Sequence, residues 1–187
     1  SDTSSGVGEL WSIDVQPSGK MLRRLIAWLP GVPLLTIIDP QSPGKLTLVG
    51  VGPGNPSLLT LAAVHAIKTS EVIAYPVARP EAQSMAARIA SQWIRDDHTC
   101  LPLLFPMVDG AEPRRAAWRA AADTLQNVVA EGKRVALLCE GDASLFATCS
   151  YVLMALQDKW PNCPCDVIPG ISSVSAAAAA GLWPLAL

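Results

Sequence analysis

Three short stretches combine glycine with small polar or acidic residues: GVGPGN at 50–55, EGDAS at 140–144 and PGISS at 169–173. Each follows an apolar run and leads into a segment with helical spacing. Glycine lets the backbone bend sharply and come close to a ligand. The first turn of a helix leaves backbone N–H groups unpaired and carries a partial positive charge. Such loops can cradle a polar small molecule. A single glycine turn is a commonplace connection. Three of them after strands of one open parallel sheet share the edge where ligands bind in such folds.

Several chemistries are excluded by what surrounds these loops. A phosphate loop needs Gly-Lys-Ser/Thr after the glycine run, and Gly54-Asn55-Pro56 lacks it. A dinucleotide fingerprint needs G-x-G-x-x-G and an acid closing the second strand. Here the glycines fall at 50, 52 and 54, Glu71 opens that strand, and Tyr75 and Pro76 close it. The five cysteines are odd in number and irregularly spaced, which predicts a reducing compartment. Cys163-Pro164-Cys165 lacks the two further ligands of a zinc site, and His65 and His98 are isolated, so no metal is expected. A formal charge of −2 gives no footprint for nucleic acid. The apolar stretch 25–38 is interrupted by Pro30, Gly31 and Pro33, too short and broken to span a bilayer. The start of the chain does not resemble a secretion signal. A cytoplasmic protein without a membrane partner is the expectation.

The elements that must position the loops can be read from residue 45 onward. LTLV at 46–49 reads as a buried strand, Asn55 as a cap with Pro56 in the first helical position, and 56–68 as a helix with Leu58, Leu59, Leu61, Ala62 and Ile67 on its apolar face. EVIAY at 71–75 is a second strand ending at Pro76, and 81–94 a helix with Met85, Ile89 and Trp93 on one face. A short strand at 101–105 precedes a long alanine-rich helix at 113–131, stopped by Gly132. The continuous apolar run at 134–139 is the mark of a strand buried on both faces. A helix at 145–159, a strand at 165–168 and a helix from Ser172 complete the pattern. The class is α/β: a largely parallel sheet of about five strands flanked by helices. Residues 1–44 differ: a small polar opening, a short helix at 21–28 and a proline-rich connector read as an irregular N-terminal extension.

GVGPGNPSLLTLAAVHAIKTSEVIAYPV, LLCEGDASLF and VIPGISSVSAAAAAGLWPLAL, in that order, resemble the tetrapyrrole methylases of cobalamin synthesis. The resemblance runs from Leu46 to Leu187. It implies S-adenosyl-L-methionine as methyl donor and a reduced tetrapyrrole, precorrin-2 or its cobalt form, as acceptor, and it suggests a homodimer. Carried over by motif, the cofactor contacts are Pro53 in the first loop, Glu140, Gly141, Asp142 and Leu145 in the second, and Ser172 and Ser173 in the third. Asp142 has a second reading as the cap of the helix at 145–159, and Ser172 as the cap of the helix that follows it. No general base is assigned; Tyr75 is the one guess, with core packing the stronger reading.

Two departures from the family pattern stand out. Ala143 occupies the place of a proline after Gly141-Asp142, and Asn55 that of an aspartate. The sequence also stops at Leu187, where the family continues with a second domain. The expectation is an N-terminal α/β domain over 45–187 with little or no methyl transfer by itself.

Overall fold

The structure is a computed structural model and describes residues 44–145 and 147–186. The expected helix at 21–28 and the rest of the extension lie outside the described residues. Five strands form one sheet: β1 (Lys45–Gly50), β2 (Val72–Val77), β3 (Thr99–Leu104), β4 (Arg134–Cys139) and β5 (Cys165–Ile168). Their order is β3-β2-β4-β1-β5 and every pairing is parallel. The helices are α1 (Leu61–Thr69), α2 (Met85–Ile89), α3 (Ala111–Ala130), α4 (Thr148–Lys159) and α5 (Ser173–Ala180), with single 3-10 turns at Pro56–Leu58 and Ser91–Trp93.

Alternation along the strands makes two cores. Leu46, Leu48, Val72, Ala74, Val135 and Leu137 face α3 and α4, where Ala121, Ala122, Leu125, Val129, Val152 and Leu156 meet them. Val49, Val51, Ile73, Ala136 and Leu138 face α1 and α2 through Ala63, Ile67, Ala86 and Ile89. Successive side chains of a strand point to opposite faces, so a strand covered on both sides must be apolar throughout. That is why β4 reads RVALLC and sits in the middle of the sheet. On the α3–α4 side, the Trp118 and Tyr151 rings stack at 4.3 Å with 9° between their planes, fixing one helix against the other.

The structure corrects several boundaries. The helix expected from residue 56 is a 3-10 turn, a break at Leu59 and Thr60, and then α1. Asn55 caps the turn by accepting the Ser57 N–H at 2.9 Å, and Thr60 caps α1 by accepting the Ala63 N–H at 3.0 Å. Two caps five residues apart make two elements, and the apolar face shrinks to Ala63 and Ile67 while Leu61 is exposed. The helix expected at 81–94 is only α2 and a 3-10 turn; Ile89 is buried but Met85 is exposed. α4 begins at Thr148 rather than at residue 145.

β2 runs through Pro76 instead of ending before it. The Phe105 N–H donates to the Val77 carbonyl, so the odd-numbered carbonyls of β2 face β3 and the backbone nitrogen of Pro76 faces β4. β2 pairs with β3 over six residue pairs but with β4 over three, ending at Ala74↔Leu137. A proline cannot donate to a ladder. Pro76 therefore stands where β2 and β4 have already parted, and the sheet opens between them at its carboxyl edge.

Candidate functional site

The chain leaves β1 into α1 on one face of the sheet, and leaves β4 into α4 on the other. β1 and β4 are neighbours, so their outgoing loops diverge from adjacent strand ends, the topological switch point of an open α/β sheet. The loops are stitched to each other there. Gly52 N–H donates to the Gly141 carbonyl at 3.0 Å, and Gly141 N–H donates to the Gly52 carbonyl at 2.8 Å. Both residues have positive φ, +82° and +63°, a region that glycine enters without strain.

The third loop is tied to the second by a side chain. Asp142 Oδ1 accepts the Gly170 N–H at 2.8 Å, while Oδ2 accepts the Ser144 N–H at 3.0 Å. Gly170 is packed so closely that a Cβ there would lie 2.2 Å from the Gly141 carbonyl oxygen. The three glycine loops thus form one continuous rim at the carboxyl edge of the sheet.

On that rim the sequence-derived residues fall into two groups. Pro53, Gly141 and Asp142 are half-buried within the stitched loops, and Glu140 and Leu145 are exposed beside them. Leu145 lies in the loop before α4 and is 44% exposed. The Glu140 carboxylate has no hydrogen bond or ion pair among the described residues. Asp142 does not cap α4; Ala147 holds that position without a side-chain bond. Ser172 caps α5, accepting the Ser175 N–H at 3.2 Å, and Ser173 is the first residue of the helix, exposed.

Gly170 was not singled out by sequence reasoning, although it is the residue through which Asp142 reaches the third loop. Its only signal was a glycine in the turn after an apolar run. Tyr75 is not placed as a base. Burial is the main cause that raises its hydroxyl pKa, and the Cys100 thiol beside it adds to the shift, so it stays protonated.

The electrostatics of the rim narrow the ligand. Residues 51–60 and 169–172 carry no charged side chain; 140–147 carry Glu140 and Asp142. A rim whose only charges are two carboxylates suits a cationic or hydroxyl-bearing ligand and opposes a polyphosphate. The residues fit S-adenosyl-methionine on these grounds. Its sulfonium and ammonium are cations, its ribose offers hydroxyls to an unpaired carboxylate, and Gly54 has nothing within 4 Å of where a Cβ would stand. Among the described residues no group of three or more His, Cys, Asp or Glu side chains could hold a metal, and no helix is long and apolar enough to cross a membrane.

Comparison with known proteins agrees with this architecture. Residues 45–187 match the Tetrapyrrole (Corrin/Porphyrin) Methylases, and the chain belongs to that family. Over 147 residues it is 33% identical to the cobalt-precorrin-2 C(20)-methyltransferase of Salmonella typhimurium, covering 77% of this chain and 60% of the relative. It is 36% identical over 141 residues to the probable cobalt-precorrin-2 C(20)-methyltransferase of Methanocaldococcus jannaschii, covering 75% and 59%. Among solved structures it is similar to the methyltransferase CobJ, with a TM-score of 0.59 and 28% identity over 76% of this chain and 52% of that one. The uroporphyrin-III-C-methyltransferase from Thermus thermophilus gives a TM-score of 0.54 at 28% identity, covering 77% and 55%. The chain spans about three-fifths of the length of the two methyltransferase relatives.

Proposed function

We propose that this chain binds S-adenosyl-L-methionine on the stitched rim and serves methyl transfer to C-20 of precorrin-2 or cobalt-precorrin-2 in cobalamin biosynthesis. The observation that carries the reading is the rim itself: three glycine loops held in register, with two carboxylates as their only charges. Two relatives, each matched over about three-quarters of this chain, are named for that C-20 reaction.

When bound, the cofactor supplies an electrophilic methyl group on sulfur. The chain's own part is placement. Pro53 and the backbone of Gly141 shape the wall of the site, the Glu140 carboxylate accepts from a hydroxyl or ammonium, and Leu145 offers an apolar surface. Asp142 holds the loops, each of its oxygens accepting one backbone N–H, and keeps a lone pair on each for a polar group of the cofactor. Holding donor and acceptor in line can supply on the order of 7–11 kcal/mol of the barrier reduction.

The test is calorimetric titration of the chain with S-adenosyl-methionine, followed by methyl transfer assayed with precorrin-2, cobalt-precorrin-2 and uroporphyrinogen III side by side. Cofactor binding that weakens in Glu140→Ala, with transfer to a precorrin-2 form preferred, is the expected result. Preference for uroporphyrinogen III would move the chain to another branch of the family. Absence of cofactor binding would overturn the reading and leave an α/β binding module.

A further inference from the structure

We propose that the cavity at the amino edge of the sheet, opposite the glycine loops, binds a phosphate group through the buried His98 Nε2–H and the Lys68 ammonium. The site rests on different residues from the methyl-transfer reading and stands or falls without it.

Strand order gathers the residues. β3, β2 and β4 are neighbours; His98 and Glu71 immediately precede β3 and β2, and Arg134 opens β4. With Lys68 from the last turn of α1, and with Arg95 and Asp97, they line a cavity of about 280 Å³. Arg95 and His98 close a turn on each other. His98 N–H donates to the Arg95 carbonyl at 3.1 Å, and Arg95 N–H donates to His98 Nδ1 at 2.9 Å. A ring nitrogen that accepts a backbone N–H carries no proton, so the neutral imidazole holds its proton on Nε2. His98 is 8% exposed, and its Nε2 is buried without a hydrogen-bond partner. A buried donor without an acceptor is destabilising, and a ligand that accepts from it removes that cost.

The surrounding charges select an anion. Both carboxylates at the cavity are held by arginines. Asp97 accepts from Arg95 Nε at 2.8 Å and Nη2 at 3.1 Å, and Glu71 accepts from the Arg134 backbone N–H at 3.0 Å with Arg134 Nε 3.5 Å away. Lys68 is exposed and has no ion pair among the described residues, which leaves one uncompensated cation. The end of a helix repels an anion through its unpaired carbonyls. At α1 three of them are occupied: the Lys68 carbonyl accepts from Arg95 Nη1 at 3.0 Å, that of Ala66 from Ser70 Oγ at 2.7 Å, and that of His65 from Thr69 Oγ1 at 2.9 Å. The groups left without a partner, the Nε2–H and the ammonium, are both donors. Charge-assisted hydrogen bonds to a phosphate oxygen satisfy them together.

A second cavity lacks this combination. Gln126 Oε1 is also buried without a partner, and Gln126 lines a cavity of about 440 Å³, but Lys159 there is paired with Asp123 and no free charge selects a ligand. At His98 the phosphate is either the free ion or the end of a phosphate monoester, which present the same oxygens. A ligand that binds only the folded chain raises its stability by mass action.

The experiment titrates the whole chain with inorganic phosphate, against sodium chloride at matched ionic strength, and reads the melting temperature and the His98 Nε2–H signal by NMR. Phosphate raises the melting temperature saturably and shifts that signal, and chloride does neither. Lys68→Ala and His98→Asn each weaken binding at least about tenfold, while Arg119→Ala on α3 leaves it unchanged. The variants separate the site from the general stabilising effect of phosphate salts. Asparagine keeps an acceptor for the Arg95 N–H but has no donor at the Nε2 position. Should His98→Asn misfold, Lys68→Ala and the wild-type signal decide. Methyl phosphate distinguishes the sources: binding equal to that of inorganic phosphate supports a monoester, and exclusion supports the free ion. A phosphate effect no larger than that of chloride, an unmoved Nε2–H signal, undiminished binding in folded Lys68→Ala or His98→Asn, or an equal loss in Arg119→Ala overturns the proposal.

Discussion

Asp142 Oδ1 accepts the backbone N–H of Gly170 at 2.8 Å, joining two loops that are 28 residues apart in the chain. The same carboxylate turns its own loop by accepting from Ser144 N–H. Hydrogen bonds to a charged acceptor are worth about 1.5–3 kcal/mol when shielded from water, and less at a partly exposed rim.

Asp142→Ala is expected to loosen the rim without unfolding the domain. The Gly170 amide should exchange with solvent faster than in the wild type, and S-adenosyl-methionine should bind at least about tenfold more weakly, a change of about 1.4 kcal/mol. Amide exchange reads the loop contact directly, and titration reads its consequence. Unchanged exchange at Gly170 would show that the carboxylate is not the tie. Asp142→Asn keeps the Oδ1 acceptor but loses the one for Ser144, and should fall between the two.

Two glycine substitutions separate crowding from conformational strain. A Cβ on Gly170 would lie 2.2 Å from the Gly141 carbonyl oxygen and 2.8 Å from the Gly50 carbonyl carbon, all backbone that cannot yield. Gly170→Ala should destabilise by about 1–3 kcal/mol or more, as overpacking does, and should disturb the rim as well. Gly54 has φ +146° and no atom within 4 Å of a Cβ position. Gly54→Ala should carry only the strain of that φ, about 1–2 kcal/mol. Urea midpoints compared at constant slope decide between them.

Leu137 is fully buried on the central strand β4, facing α3 and α4. Leu137→Ala removes packed methyl groups from a layer with no solvent access. It should destabilise by about 2–5 kcal/mol, measured by chemical denaturation. The substitution leaves the alternation of β4 intact, so the circular dichroism of the folded fraction should not change.

Acid should act through Asp123. Its carboxylate accepts from Lys159 Nζ at 2.8 Å and from Trp160 Nε1 at 2.9 Å, and these bonds, the lysine's first, hold its pKa below the ordinary carboxylate value. A carboxylate with a lowered folded pKa stabilises the fold at pH above its unfolded value, about 3.9, and that contribution is lost as pH falls through the folded value. With both groups more than a third exposed, Asp123→Ala should cost only about 1 kcal/mol near neutral pH. The gap in melting temperature between variant and wild type should close below about pH 4. A gap that persists under acid would mean that packing, not ionisation, carries the effect.

Much of the fold was legible residue by residue. β4 and β5 fall where they are expected, β4 because a strand covered on both faces admits only apolar side chains. Gly132 ends α3 at φ +86° as a helix-stopping glycine should, and Asn55 and Ser172 act as caps because their oxygens reach the first free N–H groups. Elements went wrong where two local signals competed. Thr60 is as good a cap as Asn55, so one expected helix became a turn and a helix. Pro76 reads as a strand end, yet β2 continues past it because the missing donor faces a ladder that has already stopped.

By itself, then, the sequence determined the class of fold, the three glycine loops and the family to which they belong, since each depends on periodicity, caps and composition within a few neighbouring residues. Only the tertiary structure decided that Gly52 and Gly141 hold each other, that Asp142 spends its carboxylate on Gly170 rather than on a helix cap, and that the sheet parts beside Pro76. Those relations join residues far apart in the chain, and a hydrogen bond between them exists only after strand order has brought their loops to one edge.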